Sequence, residues 1–346
     1  MSLEAAPNKQ EYEYRAEMKQ LLSLIIHSLY TNPEIFLREL VSNASDALNK
    51  IRFRRLTDSN VLSPEAELTI KISANKDENT FSIEDTGIGM TLEDLTDRLG
   101  TIASSGTLEF LTNLKNEGKA FDANMIGRFG VGFYSVFMVT DEITVETRHA
   151  NPDSKAYRWT SSGEDKFSIE EIEKDGRGTK ITFKLKDDYK DFYEPYRINN
   201  VLKKYSNFVD FPIYVNDEKV NTVTALWHMK KDDIAEEELK DFYKFISNDY
   251  QDPLGHLHFS IEGNVNFKAL LYIPQTAPQF LFRDTLDKNI QLYSSRIFIQ
   301  DDCKELLPDY LAFVKGVVDT EDLPLNVSRE VTQNSPLMAK DRKSVV

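Results

Sequence analysis

The chain has 346 residues, with 42 lysines and arginines against 57 aspartates and glutamates, and its net charge is -15. The length favours two domains, and the acidic balance argues against nucleic acid as the main partner, because phosphate binding needs a clustered basic surface. The single cysteine, Cys303, leaves no intramolecular disulfide and is compatible with a reducing compartment. The sequence shows neither an apolar stretch of bilayer length nor a signal peptide, so we expect no membrane partner.

Two amphipathic helices are predicted before residue 54, at 17–30 and 34–53, from apolar positions three and four residues apart. The polar face of the second helix carries one narrow stripe: Glu39, Asn43, Asp46 and Lys50. A solvated face is the ordinary interpretation of such a stripe. However, the middle of this face has small polar residues, and an Asn and a Glu one turn apart offer oxygen ligands to a hard cation. The stripe is therefore a candidate site for holding such a cation and orienting a water molecule.

Alternating apolar residues predict several strands, and these include the segments 68–72, 81–85, 143–145 and 179–185. Phe81, Ile83 and Asp85 share one phase, so Asp85 is predicted on the inward face. An ionised carboxylate there needs a hydrogen-bond donor such as a ligand amine. A turn residue before Thr-Gly is an equally good interpretation of Asp85. Thr179 also has the inward phase and could join Asp85 in polar recognition, although a hydroxyl satisfied by its neighbours is the commoner case.

Two segments rich in small residues lie between the predicted strands 81–85 and 143–145. A short helix starts at Thr91 with a capping-box pattern completed by Asp94, and the small residues 100–107 after it could form a mobile lid. The glycine loop 127–132, with the spacing G-x-x-G-x-G, precedes the apolar run 133–139. This pattern suits a buried helix whose first backbone amides could bind an anion. A glycine-rich turn needed for close packing is the alternative, and no Walker A lysine follows.

The second half of the chain begins after a polar stretch at 216–225, which is the predicted domain boundary. A charged helix is predicted within 232–246, strands within 257–273 and at 294–300, and a helix at 309–318. Helix and strand patterns are mixed in both halves, which favours α/β or α+β layers.

Four segments together resemble the ninety-kilodalton heat-shock protein chaperones: FLRELVSNASDALNK at 36–50, DTGIGM at 85–90, LGTIASSGT at 99–107 and GRFGVGFYS at 127–135. That family shares its ATP-binding fold with DNA gyrase B subunits, MutL mismatch-repair proteins and sensor histidine kinases. SSRIFIQ at 294–300 and LPLNVSREVTQ at 323–333 are similar to the middle domain of these chaperones. The resemblance covers nearly the whole chain. The short linker at 216–225 resembles the bacterial, HtpG-type branch, since cytosolic eukaryotic members carry a long charged linker.

The resemblance implies an α+β protein. Residues 1–220 would form the ATP-binding domain, a two-layer α/β sandwich of the gyrase, heat-shock protein 90, histidine kinase and MutL type with a mixed, largely antiparallel sheet and a lid at about 91–133. Residues 221–346 would form the first part of an α/β middle domain with a catalytic loop, and the C-terminal dimerisation domain would be absent. The implied function is that of a cytoplasmic, ATP-dependent chaperone for non-native client proteins. It would bind ATP or ADP with Mg²⁺, turn over weakly in this truncated form, and form a homodimer at full length.

Roles for single residues are also implied by the resemblance. Glu39 would be the general base or the water-orienting carboxylate for ATP hydrolysis, Asn43 would coordinate Mg²⁺ at the phosphates, and Asp85 would accept the adenine amine. Arg329 would reach the γ-phosphate from the second domain, with Gln333 nearby. The other implied contacts are Asp46 and Lys50 at the ribose and pocket mouth, Gly89 and Thr179 through ordered water, Met90 against the base, and Gly127, Gly130, Val131, Gly132 and Phe133 around the phosphates.

Four further positions bear on this resemblance. Arg98 stands where many relatives carry Asn or His, Ser104 replaces a frequent lid lysine, and Arg128 replaces the usual Gln of the glycine loop. The lysine lost at 104 removes an expected contact between lid and phosphate, and we expect the two arginines to compensate. Trp227 lies where relatives present an aromatic side chain to clients, although a buried tryptophan is an equally good interpretation.

Two other classes of function compete with that of an ATP-driven chaperone. A histidine kinase of this fold needs a phospho-acceptor helix, but His27 lies in an apolar helix that suits a core, and a DNA-handling ATPase would have a basic second domain where 226–250 is acidic. A nucleotide sensor that does not hydrolyse is the third possibility, and Glu39 argues against it.

Overall fold

The structure is a computed structural model in which the chain divides into two compact units. The N-terminal unit comprises residues 1–207 and 211–222, and the C-terminal unit comprises 208–210 and 223–346. The structure describes residues 9–14, 32–58, 60–97, 99, 132–163, 166–221, 224–262, 266–276, 290–301, 303 and 306–320. The helix predicted at 17–30 lies outside these residues.

Nine strands of the described residues form the sheet of the N-terminal unit: β1 (Gln10–Glu13), β2 (Ile70–Asn75), β3 (Thr80–Asp85), β4 (Ile143–Arg148), β5 (Ala156–Ser161), β6 (Lys166–Ile172), β7 (Gly178–Phe183), β8 (Ile213–Val215) and β9 (Glu218–Lys219). Their spatial order is β1-β6-β5-β4-β7-β3-β2-β8-β9. Strands β2 and β8 run parallel, and the other neighbouring pairs in this sheet are antiparallel.

The helices that this unit shows within the described residues are α1 (Ile35–Thr57), α2 (Leu92–Asp97), α3 (Pro195–Tyr205) and two 3-10 helices, Gly132–Met138 and Asp187–Tyr193. Helix α1 packs against β2 and β3 and against α3. Helix α2 begins with reciprocal hydrogen bonds between Thr91 and Asp94, as its capping-box pattern predicts. The buried helix predicted after the glycine loop is present in the 3-10 form. A helical layer on a mixed, largely antiparallel sheet confirms the predicted α+β class.

Aromatic rings anchor α1 to the sheet. The fully buried ring of Phe36 meets Phe81 of β3, Phe183 of β7 and Phe192 edge-on, with ring centroids 5.1 to 6.0 Å apart. The apolar face predicted for this helix is buried throughout: Leu37, Leu40, Val41, Ala44, Leu48 and Ile51. Because a fully packed face allows one orientation, it fixes the rotation of α1 about its axis.

The C-terminal unit has a second sheet of five strands in its described part: β10 (Gly255–Ile261), β11 (Phe267–Ile273), β12 (Ile290–Ser294), β13 (Ile297–Gln300) and β14 (Lys315–Thr320). Their order is β10-β11-β14-β12-β13, with β12 and β14 parallel. Helix α4 (Glu236–Ser247) and the 3-10 turns Leu226–His228, Lys231–Asp233 and Asp309–Leu311 complete the unit as described.

The helix predicted at 309–318 is wrong. A single 3-10 turn ends at Leu311, and the chain then enters β14, which lies between β11 and β12. The side chains of Val317 and Val318 are buried at 0% and 4% exposure. Consecutive β-branched residues that are buried on both faces suit a central strand, and this overrides the helical spacing of the apolar residues before them.

Trp227 is a core residue of the C-terminal unit. Its side chain is 1% exposed, and its Nε1–H donates to Asp319 Oδ2 at 2.9 Å. The rings of Phe208, Phe242 and Tyr293 pack around it with centroids 4.7 to 5.7 Å away. Of the two interpretations of Trp227, the buried one describes this structure. No helix within the described segments has the length and apolar content needed to cross a membrane.

Replacing Phe36 with alanine tests the anchoring of α1. The variant should lower the free energy of unfolding of the N-terminal unit by about 3–5 kcal/mol, because it removes a buried ring. Phe53→Ala on the same helix should change it by less than about 0.5 kcal/mol, since Phe53 is 68% exposed. Denaturant unfolding followed by Trp159 fluorescence in a Trp227→Phe background reports on this unit, because the chain has 2 tryptophans. Equal effects of the two variants would contradict the anchoring.

Candidate functional site

A cavity of about 260 Å³ lies in the N-terminal unit and is bordered by α1, β3, β4 and β7. Half of its lining residues were predicted as site residues: Asn43, Asp46, Lys50, Asp85, Gly89, Met90, Phe133 and Thr179. The other half form an apolar wall for which the sequence predicts no role in the site: Leu40, Ala44, Ala47, Ile83, Ile88, Leu99, Val145 and Ile181. An apolar cleft with a few polar groups at fixed places is the usual form of a small-molecule site.

Helix rotation and strand register bring the polar residues together. Asn43, Asp46 and Lys50 are exposed at the three- and four-residue spacing that places side chains on one helix face. Asp85 of β3 is the direct neighbour of Thr179 of β7 in the sheet. Because paired residues in an antiparallel ladder project to the same face, both side chains reach the cavity.

Asp85 supplies a buried carboxyl group at the end of β3. Its Oδ1 accepts the Gly87 backbone N–H at 2.8 Å, so the turn predicted for this residue and its inward position are both present. Burial raises the pKa of Asp85 to about 7, and hydrogen bonds from the backbone N–H groups of Gly87 and Thr179 oppose that rise. Near neutral pH this carboxyl group can therefore change charge, and when ionised it accepts hydrogen bonds from a ligand.

A third polar residue, Thr147 of β4, lies behind Thr179 and was missed from the sequence. Its Oγ1 lies 3.0 Å from Thr179 Oγ1, accepts the Met90 backbone N–H at 2.9 Å, and donates to Gly178 O at 3.1 Å. Thr147 has no exposed surface and shares the buried phase of Val145 along the strand. Strand alternation could have predicted Thr147, because Thr147 lies two residues after Val145 and so projects to the same face of the sheet.

The loop after β3 is held close to its neighbours on both sides. The Ile88 N–H donates to Ala47 O of α1 at 3.1 Å, and Ile88 O accepts the Ala150 N–H at 2.8 Å. Gly89 follows with a φ of +67°, and a Cβ atom there would collide with the Arg148 carbonyl. Glycine is therefore required at 89, both for its left-handed backbone and for this close approach.

Glu39 differs from the prediction that groups it with Asn43 on a polar stripe. Its side chain is 3% exposed and is not among the residues that line the cavity. Both Nε and Nη2 of Arg38 donate to Glu39 Oε1, at 3.1 and 2.6 Å. The carboxylate also lies against Gly132, where a Cβ atom would collide with Oε2. Helical spacing does not predict the burial of Glu39, because its charge is compensated by the adjacent residue, Arg38, which is also buried.

Several predicted residues lie outside the described part of the chain. They are Gly127, Gly130, Val131, Arg329 and Gln333, together with the departures at Arg98, Ser104 and Arg128 and the lid segment 100–107. The functional roles given to these residues, and to those that line the cavity, stay predictions.

Two protein-family models match the chain. The model described as "Histidine kinase-, DNA gyrase B-, and HSP90-like ATPase" matches residues 30–179, and the model described as "Hsp90 protein" matches residues 214–346. The "Chaperone protein HtpG" of Chlorobium phaeobacteroides is 57% identical over 97% of this chain and 54% of its own length. The chain belongs to the heat-shock protein 90 family. It spans about half the length of the curated relatives that it matches.

Two more relatives, both also named "Chaperone protein HtpG", place the chain within this family. The protein of Chlorobaculum tepidum is 55% identical over 98% of this chain and 55% of its own length. That of Geobacter sulfurreducens is 44% identical over 96% of this chain and 55% of its own length. The predicted family and its bacterial, HtpG-type branch are thereby confirmed. The cavity lies within the region matched by the ATPase model, apart from Ile181, so it belongs to a domain of nucleotide-binding type.

The raised pKa of Asp85 predicts a pH-dependent stability of the unliganded protein. A carboxyl group whose folded pKa lies above its unfolded value contributes stability that is present at low pH and lost as pH rises through the folded pKa, here about 7. This loss begins near the unfolded pKa of 3.8 and is complete just above 7. Relative to Asp85→Asn, the wild-type chain should therefore lose about 3 kcal/mol of unfolding free energy between pH 5 and pH 9. Denaturant unfolding across this pH range measures the difference. A difference that does not change with pH would contradict the assigned pKa.

Proposed function

We propose that this chain binds ATP in the cavity of its N-terminal unit and hydrolyses it to ADP and phosphate, as part of an ATP-dependent chaperone that acts on non-native client proteins. The observation that supports this most is Asp85, a buried carboxyl group that faces an apolar cleft of about 260 Å³ and is itself held by two backbone N–H groups. An ionised carboxylate in an apolar cleft recognises an amine on a flat apolar ring, as adenine has.

The adenine would lie between the apolar wall of the cavity and the loop after β3. Asp85 would accept its amino group, Met90 would pack on the ring, and Thr179 and Gly89 would contribute through water. Asp46 and Lys50 lie on the exposed side of α1 and would border the ribose and the pocket mouth. Gly132 and Phe133, with Gly127, Gly130 and Val131, would contact the phosphates, because backbone amides at a helix start favour anions.

The donor set near α1 fits a magnesium–nucleotide complex. Among the residues that the structure describes, no group of three or more His, Cys, Asp or Glu side chains is arranged to hold a metal ion. Asn43 is exposed beside the cavity and offers one amide oxygen, so the phosphates and water would complete the shell, as Mg²⁺ commonly requires. A bound Mg²⁺ would neutralise phosphate charge.

Glu39 would orient or deprotonate the attacking water. The Arg38 guanidinium fixes one carboxylate oxygen of Glu39, and the other lies beside Gly132 at the start of the 3-10 helix. Glu39 is therefore next to Gly132, one of the proposed phosphate contacts, and does not line the cavity proposed for adenine. A general base so held contributes about 10²- to 10⁴-fold to a rate.

The remaining parts of the proposal follow the family resemblance. Residues 1–220 would be the ATP-binding domain with a lid at about 91–133, and 221–346 the first part of the middle domain, from which Arg329 and Gln333 would reach the γ-phosphate. An arginine supplied from a second domain stabilises transition-state charge and makes turnover depend on domain closure. The longer relatives contain segments beyond the part matched here, so we expect weak turnover from this chain and a homodimer at full length, in the cytoplasm and without nucleic acid or membrane.

Glu39→Gln tests the catalytic assignment. It should lower ATP turnover by about 10²- to 10⁴-fold and change ADP affinity by less than about threefold, because Glu39 does not line the adenine cavity. Phosphate release gives the rate, and calorimetry with and without Mg²⁺ gives the affinity. Glu65→Gln, at an exposed glutamate of the same unit, is the control and should change neither.

Each alternative gives a different outcome in the same assays. Turnover that survives Glu39→Gln would contradict its role as the base. A sensor would bind ADP yet show no turnover in the unaltered chain. Asp85→Asn should abolish ADP binding, and binding that survives this change would overturn the proposed adenine site.

A further inference from the structure

The hydroxyl groups of Thr147 and Thr179 have one proton each. Where these two protons go decides whether Thr179 can donate a hydrogen bond into the cavity. Thr147 Oγ1 receives the Met90 backbone N–H and lies within hydrogen-bond distance of the Gly178 carbonyl and of Thr179 Oγ1. A backbone N–H can only donate, and a carbonyl can only accept. All three contacts are therefore satisfied together in one arrangement, in which Thr147 donates to Gly178 O and Thr179 donates to Thr147.

In this arrangement the proton of Thr179 points away from the cavity. Thr179 lines the cavity and is 8% exposed, so its lone pairs are what a ligand or a bridging water meets. Asp85, its neighbour across the β3–β7 ladder, presents carboxylate oxygens when it is ionised. Together they make a cavity floor, defined by Asp85 and Thr179, that accepts hydrogen bonds and donates none from these side chains.

We propose that Thr147 is a positioning residue that sets the specificity of this site, because it commits the Thr179 proton and so makes the cavity floor an acceptor surface. At the point where a purine places its 6-substituent, such a floor selects an amino group over a carbonyl oxygen. A site built from acceptors leaves a ligand carbonyl facing a carboxylate and a lone pair, which is the mismatch that gives strong discrimination. This inference rests on the proposed nucleotide binding and adds a residue that does not touch the ligand.

Two substitutions at Thr147 separate this role from a packing role. Thr147→Val keeps the shape but removes the hydroxyl, so the Thr179 proton becomes free to turn into the cavity. Thr147→Ser keeps all the hydrogen-bonding atoms and should rescue the wild-type behaviour. Thr147→Ala also removes the hydroxyl but has a smaller side chain. It replaces Thr147→Val if the thermal melt shows that the valine variant does not fold. Thr144→Val, on the same strand and half-buried, is the matched control.

The readout is the ratio of ADP affinity to inosine diphosphate (IDP) affinity at pH 9, measured by calorimetry on the full chain. Two pH units above a pKa of about 7, protonating Asp85 so that it can donate to a ligand carbonyl costs about 100-fold in affinity. IDP carries a carbonyl oxygen where ADP carries its amino group. The wild-type chain, Thr147→Ser and Thr144→Val should prefer ADP by at least about 100-fold. Thr147→Val and Thr147→Ala should lower this preference by about tenfold or more, since a rotated Thr179 hydroxyl can then donate to the IDP edge.

The ratio distinguishes specificity from structure. The Met90 N–H also loses its acceptor in Thr147→Val, and a shift of that loop would weaken ADP and IDP alike. An unchanged ratio in both hydroxyl-lacking variants, with or without a loss of affinity, would overturn the proposal. Absence of ADP binding in the wild-type chain would instead contradict the proposed function itself.

Discussion

Asp85 places a carboxyl group inside an apolar cavity, where its ionised form is destabilised. The neighbouring elements supply hydrogen-bond donors that reduce this destabilisation. The turn after β3 returns the Gly87 N–H to the carboxylate, and the register of β3 on β7 presents the Thr179 N–H to it. These donors only partly offset burial, so the pKa of Asp85 still rises to about 7. In the proposed complex a ligand amine would supply the remaining stabilisation, so ligand binding and the charge of Asp85 would be coupled.

Helix α1 carries a second buried carboxylate, Glu39, which does not line the cavity and is stabilised in a different way. Glu39 pairs with Arg38, an adjacent residue on the same helix, and both side chains are 3% exposed. One oxygen of Glu39 is held by the guanidinium, while the other borders Gly132. Asp85, whose carboxyl group is held by backbone N–H groups, faces the proposed base-binding end, and Glu39, which is paired with Arg38, lies beside the proposed phosphate end.

Sequence patterns predict the parts of this site that depend on periodicity. Helical spacing gives the buried face of α1 and the exposed row of Asn43, Asp46 and Lys50, and strand alternation gives the inward positions of Asp85 and Thr179. Periodicity cannot show which neighbour satisfies a buried group, so the Arg38–Glu39 pair and the part played by Thr147 emerge only from contacts between elements. The wrong prediction of a helix at 309–318 has the same cause: local spacing does not show that β14 pairs with β11 and β12, which come from distant segments. The resemblance to a known family supplied the roles that no spacing could.

In the proposed complex, the Asp85 carboxyl group is the proton-linked recognition point for a nucleotide base. Its titration by carbon-detected NMR in protein labelled at aspartate carboxyl carbons, with Asp85→Asn assigning the signal, tests this most directly. The account predicts a pKa of about 7 in the free protein and a value well below that with ADP bound, because an amine donor favours the ionised form. A free-protein pKa near the ordinary value of 3.8, or one that ADP leaves unchanged, would contradict it.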